Sequence, residues 1–341
     1  MNDWFTATFE YPTPVQTEGW LPISRGEHSL LLAPTGSGKT LAAFLWALDQ
    51  VFNAPVDAEP GVKVLYVSPL KALAYDVERN LRAPLTGIHR FAERRGVHFK
   101  VPQIDLRTGD TNPKERRRQA REPGDILVTT PESLYLILTA RGRSVLSQVH
   151  TVIVDEVHAL AGTKRGAHLA LSLERLVDLV DSEPQRIGLS ATVKPTDEAV
   201  RFLAGRRRVQ VVDAVQKPNL DLQVVVPVED MDAPVAPPME RSGPLLAELN
   251  PPPPERGIWD ALYPALLEEI SRSRSVIIFV NSRGASERLA QRLNELSDEE
   301  IAWAHHGSVS HEKRAQIEEG LKSGEIRCIV ATSTMELGVD M

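Results

Sequence analysis

The sequence has one cysteine, Cys328, among its 341 residues. A single cysteine excludes intrachain disulfides and zinc sites built from several cysteines. Long apolar runs are also missing, because no segment reaches the roughly 18 apolar residues of a membrane-spanning helix. The first residues lack the basic and apolar regions of a secretory signal. We therefore expect a cytoplasmic protein without disulfides or membrane spans.

The chain has fewer basic than acidic residues, with 39 lysines and arginines and 46 aspartates and glutamates, and its formal net charge is −7. This balance does not exclude a nucleic-acid partner, because contacts to a phosphate backbone need local rather than overall positive charge. Arg116–Arg118 and Arg206–Arg208 are local basic clusters. Each is also typical of a solvated helix face or turn, so neither by itself indicates a binding site.

Short runs of aliphatic and β-branched residues indicate the fold class. Over the first two hundred residues these runs alternate with helical patterns such as 166–180. That alternation predicts an α/β fold whose parallel sheet is covered by helices on both faces. The predicted strands are 29–33, 63–68, 125–129, 151–154 and 186–190, with two more at 275–280 and 326–331.

A proline-rich stretch separates two parts of the chain. Residues 227–257 contain nine of the 25 prolines and almost no apolar periodicity, which favours a linker or irregular insertion. The pattern predicts a nucleotide-binding domain over 1–226 and a second α/β domain over 258–341. The second is short for its class, so we expect it to be incomplete.

The sequence Ala33–Thr40, Ala-Pro-Thr-Gly-Ser-Gly-Lys-Thr, is a P-loop between a predicted strand and a predicted helix. Backbone N–H groups of such a loop, here Thr35, Gly36, Ser37 and Gly38, surround phosphate oxygens at a helix N-terminus. Lys39 would reach the β- and γ-phosphates of ATP, and the Thr40 hydroxyl would bind Mg²⁺. Ala33 departs from the glycine that usually opens the motif.

Polar side chains follow two more of the predicted strands. Asp155 can hold Mg²⁺ opposite the P-loop, and Glu156 can orient and deprotonate the water that attacks the γ-phosphate. Ser190 and Thr192 follow the next strand, where their hydroxyls could relay the state of the phosphate to His158. Taken singly, the hydroxyls are better explained as a helix cap, and His158 as a structural histidine.

These motifs, in this order, resemble those of superfamily 2 helicases of the DEAD/DEAH-like type. The sequence 155–166 is similar to that of the large helicase-related (Lhr) group. The resemblance implies an ATP-dependent nucleic-acid helicase built from two RecA-like P-loop NTPase domains with parallel sheets, the second incomplete. The stretches that carry it are Gln16, 33–40, 68–74, 129–133, 155–158, 190–192 and 331–341.

The resemblance also assigns residues to the two ligands. Gln16 would bind the adenine edge, because an amide can both donate and accept; otherwise it is a surface glutamine. Gly338 and Asp340 would approach the nucleotide, and His158, Ser190 and Thr192 would couple hydrolysis to movement.

The resemblance also implies a surface track that binds nucleic acid, either single-stranded or partly duplex. It favours DNA as this partner and a role in DNA repair. Such a track binds phosphates mainly through hydroxyl and backbone N–H groups. Its implied residues are Lys71, Thr108, Gly109, Thr130 and Pro131 in the first domain, and Asn281, Ser282, Arg283, His306, Gly307, Thr332, Ser333 and Thr334 in the second. A metal site at His305, His306 and His311 is disfavoured, since no cysteine or carboxylate spacing completes a tetrahedral set.

Members of this family continue to a motif rich in glutamine and arginine, which the 341 residues lack. Arginines that reach the γ-phosphate contribute roughly 10³ to 10⁵ in turnover in related enzymes. We therefore expect binding of ATP and Mg²⁺ with weak hydrolysis. One alternative is a non-catalytic ATP- and nucleic-acid-binding fragment of an interrupted helicase gene. Another is a P-loop kinase or transporter ATPase, which the two-domain layout and the 155–158 pattern disfavour.

Overall fold

A computed structural model describes residues 2–55, 59–191, 193–214, 221–226 and 258–332. The chain divides into two compact units, Met1–Lys217 and Pro218–Met341. The sequence-based boundaries at 226 and 258 stay predictions, because residues 227–257 lie outside the described ranges.

The first unit is built around a sheet of seven strands, and every strand pair in it is parallel. In space the strands follow the order β3-β4-β2-β5-β6-β1-β7. All carboxyl ends therefore meet at one edge, which is where ligands bind in open parallel sheets. The strands are β1 (His28–Leu32), β2 (Val64–Val67), β3 (Ile104–Arg107), β4 (Ile126–Thr129), β5 (Thr151–Val154), β6 (Gln185–Ser190) and β7 (Val209–Asp213).

Helices connect these strands. The side chain of Asn112 caps one of them by accepting the N–H of Glu115 at 2.8 Å, and Thr163 caps another by accepting the N–H of Gly166 at 2.9 Å. Such caps satisfy backbone donors that a helix start leaves unpaired. The helices are α1 (Asn2–Thr8), α2 (Pro14–Ser24), α3 (Lys39–Phe52), α4 (Lys71–Glu93), α5 (Pro113–Arg121), α6 (Pro131–Thr139), α7 (Val157–Leu160), α8 (Lys164–Val177) and α9 (Thr196–Ala204), with a 3-10 helix at Arg143–Leu146.

The core of the first unit lies on both faces of the sheet. Leu31 of β1 packs with Phe44 of α3 on one face, and Leu30 packs with Leu173 of α8 on the other. The predicted parallel sheet with helices on both faces is thereby confirmed. Among the helices in the described ranges, none combines the length and apolar composition needed to cross a bilayer.

The second unit contains a parallel sheet of three described strands in the order β8-β10-β9. Ile270 and Leu293 pack on one face of this sheet, and Leu321 packs on the other. Its elements are α10 (Ile258–Arg272), β8 (Val276–Phe279), α11 (Arg283–Ser297), β9 (Ala302–His305), α12 (His311–Ser323) and β10 (Cys328–Ala331).

Three strands were not predicted from the sequence, namely β3, β7 and β9. Each lies at the edge of its sheet and is only partly buried. A half-buried edge strand alternates apolar with polar residues, as in Val-Gln-Val-Val-Asp of β7, and so lacks the continuous apolar run of a central strand.

Candidate functional site

The P-loop connects β1 to α3, as its sequence predicts. Gly36 and Gly38 have φ angles of 75° and 83°, in the left-handed region that favours glycine. At Gly38 a Cβ atom would lie 2.5 Å from Nε2 of Gln16. The backbone conformation therefore favours glycine at position 38, and a larger residue there would also displace the Gln16 amide.

Lys39 begins α3 and its side chain is buried. Its Nζ donates to the carbonyl oxygens of Ala33 at 2.5 Å and Pro34 at 2.7 Å, so the loop curves around this ammonium group. The Ser37 hydroxyl is buried and has no hydrogen-bond partner within the described part of the chain. A fixed cation, an unpaired hydroxyl and a helix N-terminus are the donor set that suits a phosphate group.

Asp155 follows β5, and both of its carboxylate oxygens accept hydrogen bonds. The backbone N–H of Glu156 donates to Oδ1 at 2.9 Å, and the Tyr66 hydroxyl donates to Oδ2. Burial raises the pKa of Asp155, against the opposing effects of these hydrogen bonds and of the Lys39 charge. Burial and the nearby Asp155 raise the pKa of Tyr66 well above its ordinary value, so the phenol stays a donor. Sequence analysis missed Tyr66, whose hydroxyl in an otherwise apolar strand was the available signal.

The donors available for Mg²⁺ are the Thr40 hydroxyl and the Asp155 carboxylate. Both are oxygen ligands, which this cation prefers. Thr40 is half-buried one residue after Lys39, and Asp155 is buried at the end of β5. The chemistry of these side chains fits the predicted metal.

Glu156, His158 and Ser190 form a connected polar cluster at the ends of β5 and β6. Glu156 has a left-handed backbone conformation, with φ 46° and ψ 51°. His158 Nδ1 lies 3.3 Å from Glu156 Oε2 and 3.1 Å from the Ser190 hydroxyl. The alternative of Ser190 as a helix cap is not observed, because α9 has Pro195 at its cap position. Thr192 lies outside the described residues.

Gln16 is buried on α2 beside the P-loop rather than exposed on the surface. Its Oε1 accepts the N–H of Thr13 at 3.0 Å, and its Nε2 donates to the Gly38 carbonyl oxygen at 3.4 Å. The side chain thus joins the start of α2 to the phosphate-binding loop.

The strand-contact residues predicted in the first unit collect at the other half of the sheet edge, after β2, β3 and β4. Lys71 pairs with Asp110 at 2.6 Å, next to Gly109. Thr108 is buried, and its hydroxyl accepts the N–H of Asp110 at 3.2 Å. Thr130 precedes Pro131 at the start of α6.

In the second unit the predicted contacts also meet at the carboxyl ends of strands. Ser282 caps α11, and Arg283 donates to the Ser308 hydroxyl at 2.7 Å, close to Gly307. The backbone N–H of Thr332 donates to the carbonyl oxygen of His305 at 3.2 Å. Ser333, Thr334, Gly338 and Asp340 lie outside the described residues.

His305, the last residue of β9, and His306, which follows it, each contact a glutamate. His305 Nε2 lies 2.8 Å from Glu318, and His306 Nε2 lies 2.7 Å from Glu287. No group of three or more metal-ligating side chains occurs within the described ranges.

Comparison with known proteins places the chain in a family. The DEAD/DEAH box helicase model matches residues 13–200, and the helicase conserved C-terminal domain model matches residues 259–341. The Lhr helicase/probable uracil glycosylase of Mycolicibacterium smegmatis is 47% identical over 100% of this chain and 24% of its own length. The Lhr helicase/uracil glycosylase of Escherichia coli is 46% identical, with the same coverage of both chains.

A solved structure agrees with these matches. The Mycobacterium smegmatis helicase Lhr, in a structure bound to ssDNA and AMP-PNP, has a TM-score of 0.80 and 50% identity, covering 99% of this chain and 42% of that one. The chain therefore spans less than half the length of these relatives. The resemblance to the Lhr group is confirmed, as is the two-domain RecA-like architecture. With its first model matching residues 13–200 of 341, the chain belongs to the DEAD/DEAH box helicase family.

Proposed function

We propose that this chain is the ATP-driven motor of an Lhr-type nucleic-acid helicase. One observation carries the proposal: two polar clusters share one edge of one sheet. Lys39, Asp155 and Glu156 lie at the ends of β1 and β5, whereas Lys71 and Thr108 follow β2 and β3. A nucleotide and a single strand of nucleic acid that bind at the ends of neighbouring β-strands can influence each other through the same sheet.

Each residue of the first cluster has a role in the proposed hydrolysis. Lys39 neutralises phosphate charge, and Thr40 with Asp155 would hold Mg²⁺, which supplies further charge neutralisation when bound. Glu156 orients the attacking water and accepts its proton. The Glu156–His158–Ser190 contacts support a relay from the water site to β6, to which we also assign Thr192.

Nucleotide recognition is completed by residues outside the P-loop. The buried amide of Gln16 reaches the Gly38 carbonyl, which supports a role for Gln16 in binding the adenine edge next to the phosphates. Gly338 and Asp340 complete the nucleotide site in our proposal, on the family resemblance alone.

We propose single-stranded DNA as the partner, because the structure of the Mycobacterium smegmatis relative contains ssDNA. DNA repair is the proposed setting on the family resemblance alone. Hydroxyl and backbone groups around Thr108 and Thr130, together with Arg283 and His306 of the second unit, would bind the sugar-phosphate backbone. The alternative of a non-catalytic binding fragment gains no support, since the general base Glu156 is present beside the buried Asp155.

The test is ATP turnover by residues 1–341 with and without single-stranded DNA or RNA, in wild type and Glu156→Gln. Glu122→Gln is the matched control, because Glu122 is exposed at the end of α5. The ratio of turnover between the variants is the readout. We expect strand-stimulated turnover that falls about 10²- to 10⁴-fold in Glu156→Gln. Equal turnover in all three proteins would refute the assignment.

A further inference from the structure

Arg107 is the last residue of β3, the strand at one edge of the seven-stranded sheet. The side chain is half-buried. Within the described part of the chain, its guanidinium makes no ion pair or hydrogen bond. Only its backbone carbonyl is engaged, accepting the Thr129 hydroxyl at 2.7 Å.

The carboxylates around this strand end are engaged by other cations. Arg118 pairs with Asp105 and, at 2.8 Å, with Glu115. Lys71 pairs with Asp110 at 2.6 Å. Burial lowers the pKa of Arg107, and the nearby charge of Arg116 lowers it further.

Arg116 is oriented toward the turn that follows β3. One of its terminal nitrogens donates to the carbonyl oxygen of Gly109 at 2.9 Å and lies 3.4 Å from that of Thr108. Its Nε is buried without a hydrogen-bond partner among the described residues. Arg107 therefore immediately precedes the turn that Arg116 contacts, and no ion pair between either guanidinium and an acid is present among the described residues.

Such an arrangement opposes folding, because a partly desolvated cation without an anion is costly and a like charge nearby adds to the cost. A bound phosphate would remove both costs, and the planar guanidinium is well suited to a phosphate oxygen pair. We propose that Arg107 and Arg116 form a phosphate site at the end of β3 that binds one backbone phosphate of the nucleic-acid strand. This inference rests on the proposed function, since it adds two residues to the strand track of the first unit.

The three arginines of the basic cluster Arg116–Arg118 therefore differ in their surroundings. Arg118 is held in ion pairs, Arg116 contributes to the proposed site, and Arg117 is exposed without a contact in the described structure. Arg117 supplies a matched control, because its replacement removes the same charge close to the site.

The experiment measures the affinity of the full chain for single-stranded oligonucleotides over a range of salt concentrations, with a non-hydrolysable ATP analogue present. Wild type, Arg107→Gln, Arg107→Lys and Arg117→Gln are compared, together with their thermal midpoints. We expect Arg107→Gln to bind about tenfold more weakly, equally for homopolymer and mixed sequences. Its log–log salt slope should be shallower by about 0.7, the value for one lost phosphate contact on a single strand. Arg107→Lys should recover part of the affinity.

Thermal stability separates this role from a structural one. Arg107→Gln should leave the thermal midpoint unchanged or raise it, because it removes an uncompensated cation. A lowered midpoint, an unchanged salt slope, or a loss that depends on base sequence would each overturn the phosphate site. If wild type binds strands and Arg107→Gln behaves like Arg117→Gln, the proposed function stands and this inference fails. If wild type binds no strand, both fail.

Discussion

At the scale of single residues, the orientation of Asp155 depends on Tyr66. The phenol is fully buried, stacks on Phe44 with ring centroids 5.2 Å apart, and donates to the carboxylate. Hydrogen bonds from such outer partners hold a metal ligand in place, and their loss typically lowers metal affinity about 10- to 100-fold.

Tyr66→Phe keeps the stacked ring and removes only the hydrogen bond. We expect the Mg²⁺ concentration needed for half-maximal nucleotide binding to rise at least tenfold, measured with a fluorescent ATP analogue. Tyr75→Phe is the control, because Tyr75 is exposed. An unchanged Mg²⁺ requirement would show that Tyr66 has no part in positioning the carboxylate.

Site residues that lie at the ends of β-strands could be predicted from the sequence. Site residues that contact them from a neighbouring strand could not. Lys39, Asp155 and Ser190 follow apolar runs, and parallel strands bring such positions to one edge whatever the strand order. The Tyr66 contact depends on β2 lying next to β5 with Tyr66 opposite Ile153. That register is a tertiary property, which local periodicity does not contain.

At the scale of elements, β6 is joined to α8 and α9 by a buried arginine. Arg186 is 1% exposed and donates to Glu174 at 3.0 Å and to the carbonyl oxygen of Leu203 at 3.1 Å. Its Nε and one terminal nitrogen have no partner in the described structure. Glu174 is half-exposed and also pairs with Arg207 at 2.9 Å.

Substitution of the two members of the Arg186–Glu174 pair should have different effects on stability. Glu174→Gln removes the carboxylate that pairs with the buried Arg186 and should lower the free energy of unfolding by about 3 kcal/mol, the lower end for a broken buried pair because Glu174 is half-exposed. Arg186→Met leaves Glu174 paired with Arg207 and should be neutral or stabilising. Urea denaturation of both variants checks the prediction, with Glu122→Gln as the control. An equal loss in both would contradict it.

The packing of β1 against β6 predicts a pH dependence. His28 Nδ1 accepts the backbone N–H of Arg186 at 3.0 Å, and burial lowers the pKa of His28. Below about pH 6.5 the unfolded chain then binds more protons at this residue than the folded chain does, so stability falls as the pH falls.

We expect the free energy of unfolding to decrease between pH 7.5 and 6, and His28→Gln to weaken that decrease. Denaturation at several pH values measures both, and the exposed His98→Gln provides the control. Burial lowers the pKa of His150 as well, so His28→Gln should remove only part of the slope. A slope identical to that of wild type would exclude His28 as a contributor.

At the scale of the whole molecule, composition and motif order predicted two α/β units and the family. The motif order also assigned the residues that bind ATP and the residues that bind nucleic acid to separate stretches of sequence. It did not show where along the shared sheet edge each set lies, because the spatial order β3-β4-β2-β5-β6-β1-β7 is set by long-range packing of β1 and β2 with strands distant in sequence.

We propose that the binding of nucleotide and the binding of the nucleic-acid strand are coupled. The affinity for single-stranded DNA, measured with and without a non-hydrolysable ATP analogue, tests this coupling. We predict that the analogue changes the affinity of wild type for single-stranded DNA at least about fivefold. His158→Ala should reduce this change while each ligand still binds alone, and His98→Ala should leave it intact. An affinity of wild type for single-stranded DNA that is the same with and without the analogue would show that the two ligands bind independently.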